Sequence, residues 1–188
     1  MLTIPNALTL LRFLGIPLFI YLALSRHSDG LAIITLMFGG ATDYFDGKLA
    51  RALHQESKFG EIADPTIDRL YIAATLTVLY IRSAIPLWLI AILVARDIFM
   101  AAVALVLQIK GFEPLKVTYL GKAATFNLLY SFPLLLLAMQ RTWYGSAAFI
   151  FGWAFAIWGV TLYIGTAVGY FRTALKTITV RPHVIEGR

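Results

Sequence analysis

Asp43-Tyr-Phe-Asp46-Gly47-Lys-Leu-Ala50-Arg51, then eight residues, then Gly60-Glu-Ile-Ala-Asp64-Pro-Thr-Ile-Asp68: four aspartates stand inside an extremely apolar chain. Of its 188 residues 60% are hydrophobic, and mean hydropathy is +0.78. Segments of that composition belong in a membrane. An aspartate at the centre of a spanning helix costs roughly 2.5–3.5 kcal/mol on insertion scales. Four together, repelling one another, cost on the order of 10 kcal/mol unless something cationic sits among them. The stretch is read as a metal site.

On a helix, residues three and four apart share a face. Asp43, Asp46, Gly47, Ala50 and Arg51 form one stripe at the end of a second helix, and Gly60, Asp64 and Asp68 form another at the start of a third. A short connection over 54–59 makes these helices antiparallel neighbours, so the stripes can face each other. The ligand set is all oxygen, with no His or Cys beside it, which favours Mg²⁺ or Mn²⁺ over zinc or copper. Four carboxylates suffice for two ions, and paired ions clamp the attacking and leaving oxygens of phosphoryl transfer. Gly47, Ala50 and Gly60 leave room for a flat base and ribose against the backbone. Arg51 can fork onto a phosphate. Asp68 lies roughly 12 Å deeper than Gly60, a depth that suits a base acting on an acceptor arriving within the lipid, provided it is the least tightly ligated of the four. The competing reading pairs these acids with Arg51, Lys48, Arg69 and Arg96 as structural ion pairs; the interleaved glycines argue against it.

Outward from this stretch, the apolar runs predict six spanning helices over 5–25, 29–53, 60–82, 84–110, 117–140 and 145–176. Of sixteen Lys and Arg, ten flank one side, Arg26, Arg82 and Arg141 the other, and Arg12, Arg69 and Arg96 fall within spans. The positive-inside rule puts both termini and the aspartate-bearing helix ends on the cytoplasmic side of the cell membrane. The net charge of +6 suits anionic lipid headgroups rather than nucleic acid, since the cations border spans. With no cysteine, disulfide and thiolate chemistry are excluded. The N-terminus has no basic leader and no small-residue cleavage site, so the first span is expected to be retained. Residues 1–182 read as a single domain. Residues 183–188 read as a tail whose Ile185-Glu-Gly-Arg188 matches a protease-cleavage linker and is set aside as of engineered origin.

The full pattern, D-x-x-D-G-x-x-A-R, eight residues, G-x-x-x-D-x-x-x-D, resembles the CDP-alcohol phosphotransferase family at every fixed position. Ile4-Pro5-Asn6-Ala7-Leu8-Thr9-Leu10-Leu11-Arg12, Ala95-Arg96-Asp97 and Gly121-Lys122 are similar to its phosphatidylglycerol-related branch. The resemblance covers essentially the whole chain. It implies an all-α integral membrane protein, six helices around a cytoplasm-facing polar cavity, forming a homodimer. It further implies that Asp43, Asp46 and Asp64 bind a divalent pair holding the CDP pyrophosphate. The fourth aspartate, Asp68, is then the base, while Gly47, Ala50, Arg51 and Gly60 line the CDP moiety. The implied reaction displaces CMP from CDP-diacylglycerol by an alcohol.

Departures from the pattern bear on the alcohol. The bacterial glycerol 3-phosphate-using branch reads A-R-E, then G-L-R, and later G-K-x-K-T. This chain reads Ala95-Arg96-Asp97 with no following arginine, then Gly121-Lys122-Ala-Ala124-Thr, so two cations are missing. A phosphate monoester would forgo two charge-assisted contacts of roughly 1.5–3 kcal/mol each. Phosphatidylglycerol, a diester with acyl chains, needs fewer cations. The run after Arg96 and the aromatic stretch at Gly152-Trp153-Ala154-Phe155 resemble the mitochondrial-type and actinobacterial cardiolipin-forming members. The expected acceptor is therefore phosphatidylglycerol, with glycerol 3-phosphate the alternative, and Arg96 and Lys122 are the acceptor-site candidates. Lys122 also reads as a snorkelling interfacial anchor, and the mid-span Arg96-Asp97 as ion-paired with Arg69 or a neighbouring helix. Asn6 and Arg12 are placed over the nucleotide, Asn6 equally as a helix N-cap. An ion-coupled transporter would predict internal repeat symmetry, which is not seen. A membrane prenyltransferase would need two distant aspartate motifs in a longer chain.

Overall fold

The computed structural model describes residues 4–53, 58–112, 118–140 and 142–180; the side chains at 4–7, 43–53, 58–65 and 180 lie outside the description. Among the described residues every regular element is helical: α1 (Ile4–Ile20), a π-helical turn (Tyr21–Ser25), α2 (Asp29–Leu53), α3 (Lys58–Ile81), α4 (Leu87–Ile109), α5 (Tyr119–Leu137) and α6 (Trp143–Val180). The expected helices are all present, displaced by a few residues at their ends. Four stretches among the described residues are long and apolar enough to cross a bilayer: Leu8–Ser25, Leu87–Ile109, Tyr119–Leu137 and Trp143–Thr179. α2 adds a shorter apolar stretch, Asp29–Thr42. This is an all-α membrane protein.

The chain divides into two units. The first takes in α1, α2 and α3 together with Phe132–Gly152. Here α1 packs on both α2 and α3 through a stripe at steps of three and four: Thr9, Arg12, Ile16, Phe19 and Ala23, all buried. Four of the five are small or apolar, and the fifth is an arginine. Pro17 interrupts the hydrogen-bond ladder of α1, and the chain then widens into the π turn, where the Arg26 N–H donates to the Tyr21 carbonyl at 3.1 Å. Arg82, just past the end of α3, ties this end together. Its Nη1 donates to the Ala23 carbonyl and to Asp29 Oδ1, both at 2.8 Å. Both side chains of that ion pair are largely buried. Ser83 then closes α3 with a left-handed turn (φ 59°), its N–H donating to Tyr80 O and that of Ala84 to Leu79 O.

The second unit comprises α4, α5 up to Ser131, and α6 from Trp153. Between membrane helices, lipid removes the hydrophobic drive to associate, so close packing of small residues carries much of the contact. At Gly159 an added Cβ would stand 3.0 Å from Leu128 and 3.2 Å from Asn127, which is how α6 approaches α5. Tyr170 of α6 accepts a hydrogen bond from the Thr118 N–H at 2.6 Å, satisfying a backbone donor where α5 begins. α4 buries little beyond Leu89, Leu93 and Leu107, and residues such as Ile98 and Ile109 face outward.

Candidate functional site

The α2–α3 contact is set one turn from the aspartates. The Tyr71 hydroxyl donates to the Thr35 carbonyl at 2.9 Å, and its ring stacks on Phe19 with centroids 6.5 Å apart. Gly39 makes this possible, because a Cβ there would collide with the Tyr71 hydroxyl and ring. Gly39 precedes Asp43 by four positions and Tyr71 follows Asp68 by three. The face of α2 holding position 39 is therefore turned toward the face of α3 holding position 71. Helical spacing puts positions 43 and 46 on the first face and 64 and 68 on the second. The side chains of Asp43, Asp46, Gly47, Ala50, Arg51, Gly60 and Asp64 lie outside the described residues.

Asp68 is the member of the cluster whose side chain is described. Its Oδ1 accepts a hydrogen bond from Arg12 Nη1 at 2.5 Å. The Arg12 side chain is 1% exposed and that of Asp68 42% exposed. The arginine thus lies behind the carboxylate, within the packed stripe of α1, while the carboxylate presents an accessible edge. In an apolar span such an edge has to meet water, a cation or a polar ligand rather than acyl chains. The sequence places Arg12 beside the nucleotide, and the cations of its competing ion-pair reading, Arg51, Lys48, Arg69 and Arg96, do not include it. The structure puts its guanidinium on Asp68. The signal was available: Arg12 occupies one step of a three–four stripe that is otherwise fit for burial, and a charge there needs a partner.

Arg96 and Lys122 both belong to the second unit. Arg96 Nη1 donates to Asp97 Oδ1 at 3.1 Å, and the Tyr163 hydroxyl donates to the same oxygen at 2.5 Å. The Arg96 guanidinium also lies over the Tyr163 ring, 3.8 Å from its centroid. Among the described residues Arg96 and Asp97 pair with each other, where the sequence suggests Arg69 or a neighbouring helix as partner, and Tyr163 joins them as a third member that spacing alone does not reveal. Arg96 borders an apolar groove of about 310 Å³ whose walls include Phe99, Ile164, Val168 and Phe171. Lys122 is exposed on the first turn of α5, its Nζ 5.8 Å from the centre of the Tyr119 ring, a placement that fits an interfacial anchor. Ala124, two residues on, is wholly buried.

Among the described residues no three of His, Cys, Asp and Glu converge as metal ligands, three of the four expected ligands lying outside those residues. Asp68 itself fits a hard divalent ion by donor type, an accessible carboxylate in an apolar setting, although one of its oxygens is engaged by Arg12.

A family model described as CDP-alcohol phosphatidyltransferase matches residues 2–158. The chain is similar to a "Cardiolipin synthase (CMP-forming)" of Streptomyces coelicolor, 48% identical over 174 residues, covering 90% of this chain and 81% of that protein. It is also similar to a "CDP-diacylglycerol--glycerol-3-phosphate 3-phosphatidyltransferase" of Bacillus subtilis, 28% identical over 151 residues, covering 73% and 78% of the two chains. A protein of the same name from Cereibacter sphaeroides is 36% identical over 129 residues, 65% of this chain and 58% of that one.

Proposed function

The chain belongs to the CDP-alcohol phosphatidyltransferase family, and on that premise we propose that it transfers the phosphatidyl group of CDP-diacylglycerol to a hydroxyl of phosphatidylglycerol, forming cardiolipin and releasing CMP. The observation that carries the choice of acceptor is the 48% identity, over 90% of the chain, to a relative named as a CMP-forming cardiolipin synthase. Two features of the chain support it. No arginine follows Arg96-Asp97 at the spacing of the glycerol 3-phosphate-using branch. Ala124, where that branch carries a second lysine, is fully buried, and a lysine there would have to open the packing.

In this reading Asp68 takes the proton from the acceptor hydroxyl. The acceptor oxygen then bonds to the phosphatidyl phosphorus as the bond from that phosphorus to the CMP oxygen breaks, and CMP leaves with the electron pair. Asp43, Asp46 and Asp64, with Asp68 more weakly, would hold two Mg²⁺ or Mn²⁺ ions, whose chemistry when bound is to neutralise charge on the pyrophosphate. Gly47, Ala50 and Gly60 make room for the CDP moiety and Arg51 binds its phosphate. α2 and α3 cross the membrane with the other four helices around a polar cavity open to the cytoplasm. Both termini are cytoplasmic, the host bilayer is the cell membrane, and the protein works as a homodimer. Arg96 and Lys122 serve the acceptor, a role for which their charge and the family pattern argue.

A second reading, glycerol 3-phosphate as acceptor, is favoured by the similarity to the Bacillus and Cereibacter proteins. Purified protein given CDP-diacylglycerol and both acceptors in competition decides between them. Cardiolipin as the main product is the expected result; phosphatidylglycerophosphate alone would overturn the acceptor assignment.

A further inference from the structure

An apolar residue would fill the Arg12 step of the α1 stripe without the cost of burying a charge, since Thr9, Ile16, Phe19 and Ala23 around it are packed shut. Across the α1–α3 contact the guanidinium at that step donates to the Asp68 carboxylate. From this geometry we infer that Arg12 is a positioning residue for Asp68: it pins Oδ1, so that the carboxylate is kept for the acceptor hydroxyl instead of turning into the metal pair. The inference rests on the reading of Asp68 as the base.

Two physical effects act in the same direction. A charge-assisted hydrogen bond at 2.5 Å fixes the side-chain torsions of Asp68 from a rigid, buried origin. A divalent ion closing fully on Asp68 would also be brought toward a buried like charge that cannot move away. Together they make Asp68 the weakest metal ligand of the four, as a base must be. The Asp68 side chain stays 42% exposed despite the arginine, which leaves it within reach of an acceptor hydroxyl.

The test compares the parent protein with Arg12→Gln, Arg12→Lys, Asp68→Asn and the Arg12→Gln/Asp68→Asn double variant, all purified in detergent. Mn²⁺ affinity is read by calorimetry or electron paramagnetic resonance, and CMP release with whichever acceptor turns over. Arg12→Gln is expected to bind Mn²⁺ several-fold more tightly, a gain largely absent in the Asp68→Asn background because the carboxylate that would swing inward is gone. Its kcat should fall about tenfold or more while KM for CDP-diacylglycerol stays within about twofold. Arg12→Lys, which keeps the charge and loses the fork, should recover part of the kcat and supports the same comparison if the glutamine variant does not fold. Unchanged or weakened Mn²⁺ binding in Arg12→Gln, an equal gain in both backgrounds, or a raised KM at constant kcat would each overturn the assignment. Failure of the reading beneath it looks different: Asp68→Asn alone would then keep its turnover. A wrong acceptor would show only in the product formed.

Discussion

A carboxylate held by a buried guanidinium and still partly exposed can accept a proton without losing its place. Asp68→Asn keeps that shape and removes the basicity. It is expected to retain binding of Mn²⁺ and of CDP-diacylglycerol while CMP release falls by about 10²–10⁴, measured by equilibrium binding beside turnover; full turnover would remove Asp68 from the base role. Ala124→Lys tests the acceptor pocket by residue. Inserting the cation into a fully buried position should destabilise the protein by about 1–3 kcal/mol, seen as a lower unfolding temperature in detergent, with no gain in glycerol 3-phosphate use. The aspartates were legible from spacing because acids are so costly in an apolar span. Arg12 was not assigned to Asp68, because 56 positions separate them and only the crossing of α1 and α3 brings them together. The Tyr163 hydroxyl on Asp97 escaped for the same reason, as their separation is 66 positions.

Among elements, the α2–α3 pair is governed by Gly39 and Tyr71. Gly39→Ala would drive a methyl group into the Tyr71 hydroxyl, forcing the helices apart or the ring off Phe19. The expected outcome is a loss of about 1–3 kcal/mol in stability and a drop in CMP release larger than in Gly165→Ala, where a Cβ meets nothing within 4 Å. Thermal unfolding and turnover, measured side by side, check both. At the opposite end Arg82→Ala would strand Asp29 and the Ala23 carbonyl, costing about 3–5 kcal/mol while leaving the KM for CDP-diacylglycerol unchanged. Helix positions were readable from hydropathy and the Pro and Gly punctuation, and every one formed. The π turn was not, because it depends on Pro17 one turn earlier and on Arg82, just beyond α3, donating to the Ala23 carbonyl. The charge pattern allows Lys122 as an interfacial anchor but does not place its ammonium near the Tyr119 ring.

For the whole molecule, the proposed chemistry demands divalent ions, so chelation by EDTA should abolish CMP release and Mg²⁺ or Mn²⁺ should restore it. Activity that survives exhaustive chelation would sink the metal assignment. α6 has a further consequence. Its 38 residues make a rod about 57 Å long, nearly twice the roughly 30 Å of a hydrocarbon core. Even a lean of 40° leaves about 44 Å along the bilayer normal. One extremity must therefore stand among headgroups and water, and Arg172 and Lys176 near the C-terminal extremity suit it to the anionic leaflet. A cationic mast of that kind would enrich negatively charged phospholipids around the protein, so the local supply of such lipids would exceed their average in the bilayer.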